Sequence, residues 1–365
     1  MSAAEVSADL HGSYLAKELG DCQLFGMGGE KMRVAGVDVR IDITDKSSIG
    51  IIEALRYIPS HLITLHKLKN MLKQEKPDAL ILIDAQGLNM PLASYAKQLG
   101  IKTIYYIAPQ EWLWGTKKGL NKVIKNIDLI ISIFKKEDEI FRSAGGNSVY
   151  YGHPLLDIVK PSMTKDQFTR KFGLDPSKKI IALCPGSRKH ELKDLFSILI
   201  ETANKLGNAQ FVMPIASSKL SGLIETKASA SKVDIKVIEG YSNDVLAHSD
   251  LVIAKSGTIV LESVILGTPV IMFYKLSRLT YLIGKKILNI NLKYYSMPNI
   301  LADKMIVPEL VMERATAENI YKEAQKILEN PGRYKEGLAQ VKSLLGDEGA
   351  IKKATQKIIE FINLG

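Results

Sequence analysis

Cysteine is nearly absent from this chain of 365 residues: Cys22 and Cys184 stand alone and far apart, so neither a disulfide framework nor a cysteine-based zinc site is indicated. No run approaches the roughly 18 uninterrupted apolar residues of a membrane-spanning helix. The start, Met1-Ser2-Ala3-Ala4-Glu5, lacks the basic segment and apolar core of a secretory signal. These absences fit a reducing cytoplasm. Metal ligands are missing in pattern as well. No Asp-x-Asp pair occurs, and His61 and His66 are five apart, off the four-residue spacing that stacks two ligands on one helical face. Low-complexity tracts, internal repeats and recognisable nucleic-acid-binding motifs are also lacking. Acid is missing locally, because Ser263 to Ala302 contains neither Asp nor Glu.

What is present belongs to a globular protein, with 46% hydrophobic and 24% charged residues and a length that suits two ordinary domains. The net charge of +10 favours an anionic partner. In the acid-free stretch Lys275, Arg278, Lys285, Lys286 and Lys293 interleave with Tyr274, Tyr281, Leu282, Ile283, Tyr294 and Tyr295. That pattern suits an anionic lipid face better than a duplex groove, the other reading being a core helix with a solvated basic edge. Ile49 to Pro59, continued by Leu62 to Leu72, carries Arg56, His61, His66, Lys67 and Lys69 among Ile and Leu. It is either an interfacial helix or an amphipathic core helix.

Strand-like runs alternate with helical patterns throughout: Ala79 to Ile83, Thr103 to Ile107, Leu129 to Phe134, Ser148 to Tyr151, Ile180 to Cys184, Gln210 to Pro214, Ile235 to Ile238, Leu251 to Ala254 and Val270 to Tyr274. This predicts an α/β protein with parallel sheets in two Rossmann-like halves. The joint is placed near Gly152-His153-Pro154. Expected domains are 1–155 and 156–345, with a helix in 346–365 that packs back on the first domain or on a partner subunit.

Two strand-turn-helix segments of the second half carry phosphate chemistry. In the first, Leu251 to Ala254 leads through Lys255-Ser256-Gly257-Thr258 into a helix from Ile259 to Leu266. Unpaired amides and the positive end of the helix dipole suit a phosphate, and Glu262, one turn on, suits ribose hydroxyls; a plain capped βα unit is the alternative. In the second, Ile180 to Cys184 runs into Pro185-Gly186-Ser187-Arg188. Gly186 lets backbone approach a ligand closely, and the Arg188 fork suits a pyrophosphate, unless it serves a surface salt bridge. In the first half, Asp84 ends a buried strand and either acts as a general base or caps the next helix. Trp112 and Trp114 share a loop, for sugar or acyl contact or for core packing.

Together these segments resemble the lipid-A-disaccharide synthase family, glycosyltransferases of the GT-B fold that make the glucosamine disaccharide of bacterial lipopolysaccharide. The resemblance runs almost end to end: Ala4-Glu5-Val6-Ser7-Ala8-Asp9 with His11, Phe25-Gly26-Met27-Gly28-Gly29, Ile49-Gly50-Ile51-Ile52-Glu53, Ile83-Asp84-Ala85 with Asn89, Pro109 with Trp112 and Trp114, Tyr151-Gly152-His153-Pro154, Pro185-Gly186-Ser187-Arg188, Ser256-Gly257-Thr258 with Glu262, and Met297-Pro298-Asn299. It implies two Rossmann-like domains facing a central cleft. It further implies transfer of 2,3-diacylglucosamine from its UDP conjugate to the 6-hydroxyl of 2,3-diacylglucosamine 1-phosphate, with inversion, release of UDP and no metal or cofactor. By the resemblance, Asp84 assists deprotonation of the acceptor and Arg188 holds the diphosphate, with Gly186, Ser187, Lys255, Ser256, Gly257 and Thr258 around it. Glu262 holds the ribose, and Asn299 lies on the nucleotide or sugar side. Glu5, Ser7, Asp9, His11, Trp112 and Trp114 form the acceptor and lipid side. A monomer or homodimer, peripheral on the inner face of the inner membrane, is expected.

The chain departs from the family's usual Gly-Glu-x-Ser-Gly-Asp by carrying Ala4 and Ala8 at the glycine positions, which predicts strain wherever that backbone needs a positive φ. It starts at this motif, so the preceding apolar strand is expected to be absent or nearly so. Two other readings share the phosphate turns. One is another GT-B enzyme acting on UDP-sugars, such as a UDP-N-acetylglucosamine 2-epimerase or a peptidoglycan glycosyltransferase, which should lack the lipid-facing stretches. The other is a non-catalytic UDP-sugar-binding protein.

Overall fold

Short apolar runs buried on both faces need helices on both sides, and such runs form parallel sheets. The structure, a computed structural model, describes residues 1–44, 58–186, 189–215, 221–231, 233–275 and 293–363. It divides into two compact units, Met1–Ile158 together with Leu345–Gly365, and Val159–Leu344.

The first unit holds seven parallel strands: β1 (Ser2–Ala3), β2 (Phe25–Met27), β3 (Asp38–Ile41), β4 (Ala79–Ile83), β5 (Lys102–Tyr106), β6 (Leu129–Ser132) and β7 (Ser148–Tyr150). Their spatial order is β3-β2-β1-β4-β5-β6-β7. The chain therefore builds outward from β1 on one side, crosses back to β4 and builds outward on the other. β1 has two residues yet sits centrally, with Ser2 opposite Met27 of β2 and Leu82 of β4. Leu80, Leu82, Tyr105 and Ile130 from the strands pack with Leu92, Ala93, Val123 and Phe141 from covering helices.

The second unit repeats the plan with β8 (Ile180–Cys184), β9 (Gln210–Ile215), β10 (Ile235–Glu239), β11 (Leu251–Lys255), β12 (Val270–Tyr274) and β13 (Glu309–Val311), in the order β10-β9-β8-β11-β12-β13. Ile181, Leu183, Phe211, Met213, Ile253 and Phe273 form its core with Leu195, Leu199, Ile320 and Ile327. In open sheets of this kind ligands bind beyond the carboxyl ends of the strands where the order reverses. Those points are β1/β4 in the first unit and β8/β11 in the second.

Residues 345–365 belong to the first unit. The helix Ala350–Asn363 packs along the helix Val6–Leu19, burying Ile351, Ala354 and Ile358. Asp157 ties its start, its carboxylate accepting from the amides of Gly349 at 2.6 Å and Ile351 at 2.9 Å. Lys102 ties its end, donating to the carbonyls of Phe361 at 3.1 Å and Ile362 at 2.8 Å, where a cation also complements the helix dipole.

Candidate active site

The carboxyl ends of β4 and β5 hold three strained residues. Asp84 and Ala85 follow β4 with φ of 50° and 49°, and Ile107 follows β5 with φ of 63°. A left-handed conformation costs an L-residue about 1–2 kcal/mol, and a β-branched one is the least tolerant. Surrounding bonds hold this arrangement in place. The Asp84 carbonyl accepts from the Asn89 amide at 2.7 Å and the Tyr105 hydroxyl at 2.7 Å, and the Asp84 amide donates to the Ile107 carbonyl at 3.2 Å. Asn89, fully buried, also accepts from the Ser2 hydroxyl at 2.6 Å, which locks β1 to β4. Strain over-determined in this way concentrates at functional sites. The following helix, Gln86–Gln98, has Ala85 at its N-cap, one residue after Asp84. Its carboxylate, half-buried, accepts from the neighbouring Ala85 amide at 2.8 Å.

Across the switch point lies the first motif. Glu5 is the extended N-cap of the helix Val6–Leu19, and it and Ser7 are half-buried. Neither Ala4 nor Ala8 has a positive φ, so the strain expected at these alanines does not arise. Asp9 points away from solvent and accepts from the amides of Gly29 at 2.7 Å, Met32 at 3.0 Å and Lys31 at 3.0 Å. It caps the helix Glu30–Val34, and its carboxylate is spent on that task rather than on an acceptor.

Further along the same strand ends lies a chain of rings. Trp112 stands 5.6 Å from Phe134, and Phe134 stands 5.1 Å from His153, centroid to centroid. Burial pushes His11 down to about 4, and burial with His11 nearby pushes His153 down to about 3, so both imidazoles stay neutral. Glu137, fully buried, accepts from the Ile133 amide at 2.9 Å through Oε2. Burial pushes its carboxyl up to about 8. Among the described residues, the buried side-chain atoms without a partner all lie in the first unit, and His11 Nδ1, Tyr106 Oη, Trp112 Nε1 and Glu137 Oε1 are four of them. Such atoms call for an explanation, and an occupying ligand or water is the usual one. The side chain of Trp114 lies outside the described residues, although the backbone places it at the end of the helix Glu111–Trp114.

In the second unit Gly186 follows β8 with φ of 109°, a conformation that only glycine adopts easily. Ser187 and Arg188 lie outside the described residues. Lys255 closes β11 at 5% exposure, its ammonium 5.2 Å from the centre of the Tyr274 ring. Ser256 and Gly257 form the turn, and Gly257, not a hydroxyl residue, is the N-cap of the helix Thr258–Ile265. The N-cap position thus offers the first amides of that helix no side chain. Glu262 is half-buried, and burial raises its carboxyl against a hydrogen bond from Thr258. Gly186 and Ser256 therefore flank the β8/β11 switch point.

Asn299 differs from expectation. It is fully buried: its amide nitrogen donates to the Val307 carbonyl at 2.8 Å and Glu309 at 2.8 Å, and its oxygen accepts from the amides of Ile306 at 2.7 Å and Val307 at 2.8 Å. Nothing of this amide is left for a nucleotide. It organises the turn between the helix Met297–Ala302 and β13 instead. Glu309, which also accepts from Ser296, completes that network and was not singled out by sequence. Glu137 was missed as well, hidden in the charge run Lys135-Lys136-Glu137-Asp138-Glu139.

Comparison with known proteins bears on family and fold. A family model described as lipid-A-disaccharide synthetase matches residues 1–361. The lipid-A-disaccharide synthase of Geobacter sulfurreducens is 35% identical over 371 residues, covering 99% of this chain and 96% of that one. That of Persephonella marina is 36% identical over 381 residues, covering 99% and 98%. Among solved structures, Acinetobacter baumannii MurG matches with a TM-score of 0.54 at 14% identity, covering 100% of this chain and 99% of that one. The Staphylococcus aureus MnaA co-structure with UDP matches with a TM-score of 0.67 at 14% identity, covering 100% and 96%. These structures share the fold, which is of the GT-B type with two Rossmann-like domains.

Proposed function

Since this chain belongs to the lipid-A-disaccharide synthase family, a family of glycosyltransferases, we propose the following assignment of its residues. The second unit holds UDP-2,3-diacylglucosamine, and the first holds 2,3-diacylglucosamine 1-phosphate. Asp84 accepts the proton of the acceptor 6-hydroxyl as that oxygen attacks carbon 1 of the donor sugar. The bond from carbon 1 to the diphosphate breaks, UDP departs, and the configuration inverts. Arg188, Lys255 and the first amides of the helix Thr258–Ile265 stabilise the charge on the departing diphosphate, while Glu262 takes the ribose hydroxyls. The neutral His11 and the indole N–H of Trp112 offer polar contacts to the acceptor sugar.

The observation that carries this reading is the strained, pinned turn at Asp84 beside the β1/β4 switch point. It holds a carboxylate at the carboxyl ends of the strands, where ligands bind in open sheets of this kind, in strained backbone of the sort that clusters at functional sites. Membrane contact is supported by the helix Ile58–Glu75, where Leu62 and Ile63 are 61% and 59% exposed and Lys67 and Lys73 are exposed alongside. Among the described residues no helix is long and apolar enough to cross a membrane, and the attachment proposed is peripheral, on the anionic inner face of the inner membrane. The remainder of the two lipid-facing stretches, including Ile49 to Tyr57 and Arg278 to Lys286, lies outside the described residues.

The test is UDP release by the purified protein, which is expected only when both lipids are supplied. Asp84→Asn should lower kcat by about a hundredfold or more, the usual range for losing a general base. Arg188→Ala should cost at least about tenfold, given roughly 1.5–3 kcal/mol for a charge-assisted bond. UDP release without an acceptor, or full turnover by Asp84→Asn, refutes the assignment.

A further inference from the structure

A cavity of about 310 Å³ opens in the first unit between the helix Gln86–Gln98 and the helix Lys117–Asn126. The first helix contributes Gly87, Met90 and Pro91, and the second Gly119, Lys122 and Val123. Its size is at the small end of ligand pockets, which run from about 300 to 1,000 Å³. The floor is apolar, with Met90 and Val123 buried, and the mouth is open to solvent at Gln86 and Gly87. A Cβ at position 87 would meet no atom within 4 Å, so a larger side chain can be introduced at the mouth without a clash.

Two features select an occupant. The mouth is three residues along the chain from Asp84, so whatever enters it begins beside the proposed base. From the helix Lys117–Asn126, Lys122 is the charged residue that lines the cavity. The nearby carboxylate of Glu111 is engaged by the Gln86 amide. An occupant therefore meets an apolar floor at Met90 and Val123 and a cation at Lys122, while the Glu111 carboxylate packs against Gly119.

Resting on the transferase reading above, we propose that this cavity seats an acyl chain of the acceptor, with Lys122 meeting its phosphate at the rim. The chemistry of the acceptor fits. Its acyl group on carbon 2 adjoins the phosphate on carbon 1, so a chain lowered between the helices brings the phosphate to Lys122 while the same ring presents its 6-hydroxyl toward Asp84. The lysine stem adds apolar cover along the way.

The test compares two 2,3-diacylglucosamine 1-phosphates, one with long and one with short acyl chains, against the same UDP donor. Each methylene taken out of water is worth about fourfold in affinity, so blocking two or three should cost the long-chain acceptor about 15- to 60-fold. Gly87→Leu places a better helix former in the mouth, so folding is not at risk. It should raise KM for the long-chain acceptor by at least about tenfold while leaving that for the short-chain one within about threefold. Lys122→Glu should raise KM for both phosphorylated acceptors and leave the donor KM unchanged. Equal KM increases for both chain lengths in Gly87→Leu overturn the proposal, as does a Lys122→Glu enzyme with wild-type acceptor KM. If Gly87→Leu does not turn over, calorimetric binding of the two acceptors measures the same ratio and decides in the same way. Wild-type protein that releases no UDP from any donor and acceptor pair overturns the transferase reading instead, and the binding ratio still decides what the cavity holds.

Discussion

Glu137 is a carboxyl group enclosed by protein, with the Ile133 amide on one oxygen and no partner on the other. Burial pushes it up to about 8, with Asp138 and Asp84 adding to the rise. In the unfolded chain a glutamate ionises near 4.3. Between those values the folded protein holds a proton that the unfolded chain has lost, so stability is full below the unfolded value and falls as pH rises toward 8. Thermal melts of the wild type should therefore fall from pH 5 to pH 8 by more than those of Glu137→Gln, whose amide accepts the same backbone bonds without a charge. The difference should be on the order of a few kcal/mol. Parallel pH curves for the two proteins would mean that Glu137 is ionised in the native state. Sequence alone could not reveal this residue, because a glutamate inside a charge run reads as solvated until the chain turns its N–H groups onto it. Asp84 could be singled out as an Asp ending an apolar strand, but sequence left its use as a base or as a cap open. Asn299 was located by resemblance, but its task is set by bonds to Val307 and Glu309 that no local pattern announces.

At the scale of elements, strand interiors were readable and strand ends were not. β4, β8 and β12 have the bounds expected from their apolar runs. β5 stops at Tyr106 because Ile107 turns to a positive φ, and β6 stops at Ser132 because the Ile133 amide leaves the ladder for Glu137. Both departures therefore come from the groups that shape the candidate site. β1, β2, β3 and β13 have between two and four residues, too few for a periodic signal. The helix Ile58–Glu75 was read as either interfacial or core, and it is divided: Leu68 and Leu72 are buried while Leu62 and Ile63 are not. Leu62→Glu with Ile63→Glu should therefore leave the melting temperature within a degree or two and reduce sedimentation with anionic vesicles by about tenfold or more, given some 1.5–3 kcal/mol for each large apolar side chain withdrawn. Unchanged sedimentation would assign membrane contact to other residues.

For the molecule as a whole, each unit has its own core and its own sheet, so each is expected to unfold as a cooperative body. From the sequence the joint falls near Gly152-His153-Pro154, where a strand pattern ends, and the compact units divide between Ile158 and Val159. The return of residues 345–365 was not legible, because an amphipathic helix records that it has a partner but not which one. Removing those residues uncovers the buried side of the helix Val6–Leu19 and strands the Asp157 cap. Calorimetry of the shortened chain should then lose one transition and retain that of Val159–Leu344. Loss of both, or of neither, contradicts this division.

The same return has a consequence in time. The segment that covers the helix Val6–Leu19 is translated after the whole of Val159–Leu344. At roughly 5–20 residues per second, those ~190 residues occupy the ribosome for about 10–40 s. Throughout that interval the earlier-made part of the protein stays unfinished, its apolar flank bare to chaperones and neighbours, and the later-made part is complete before it.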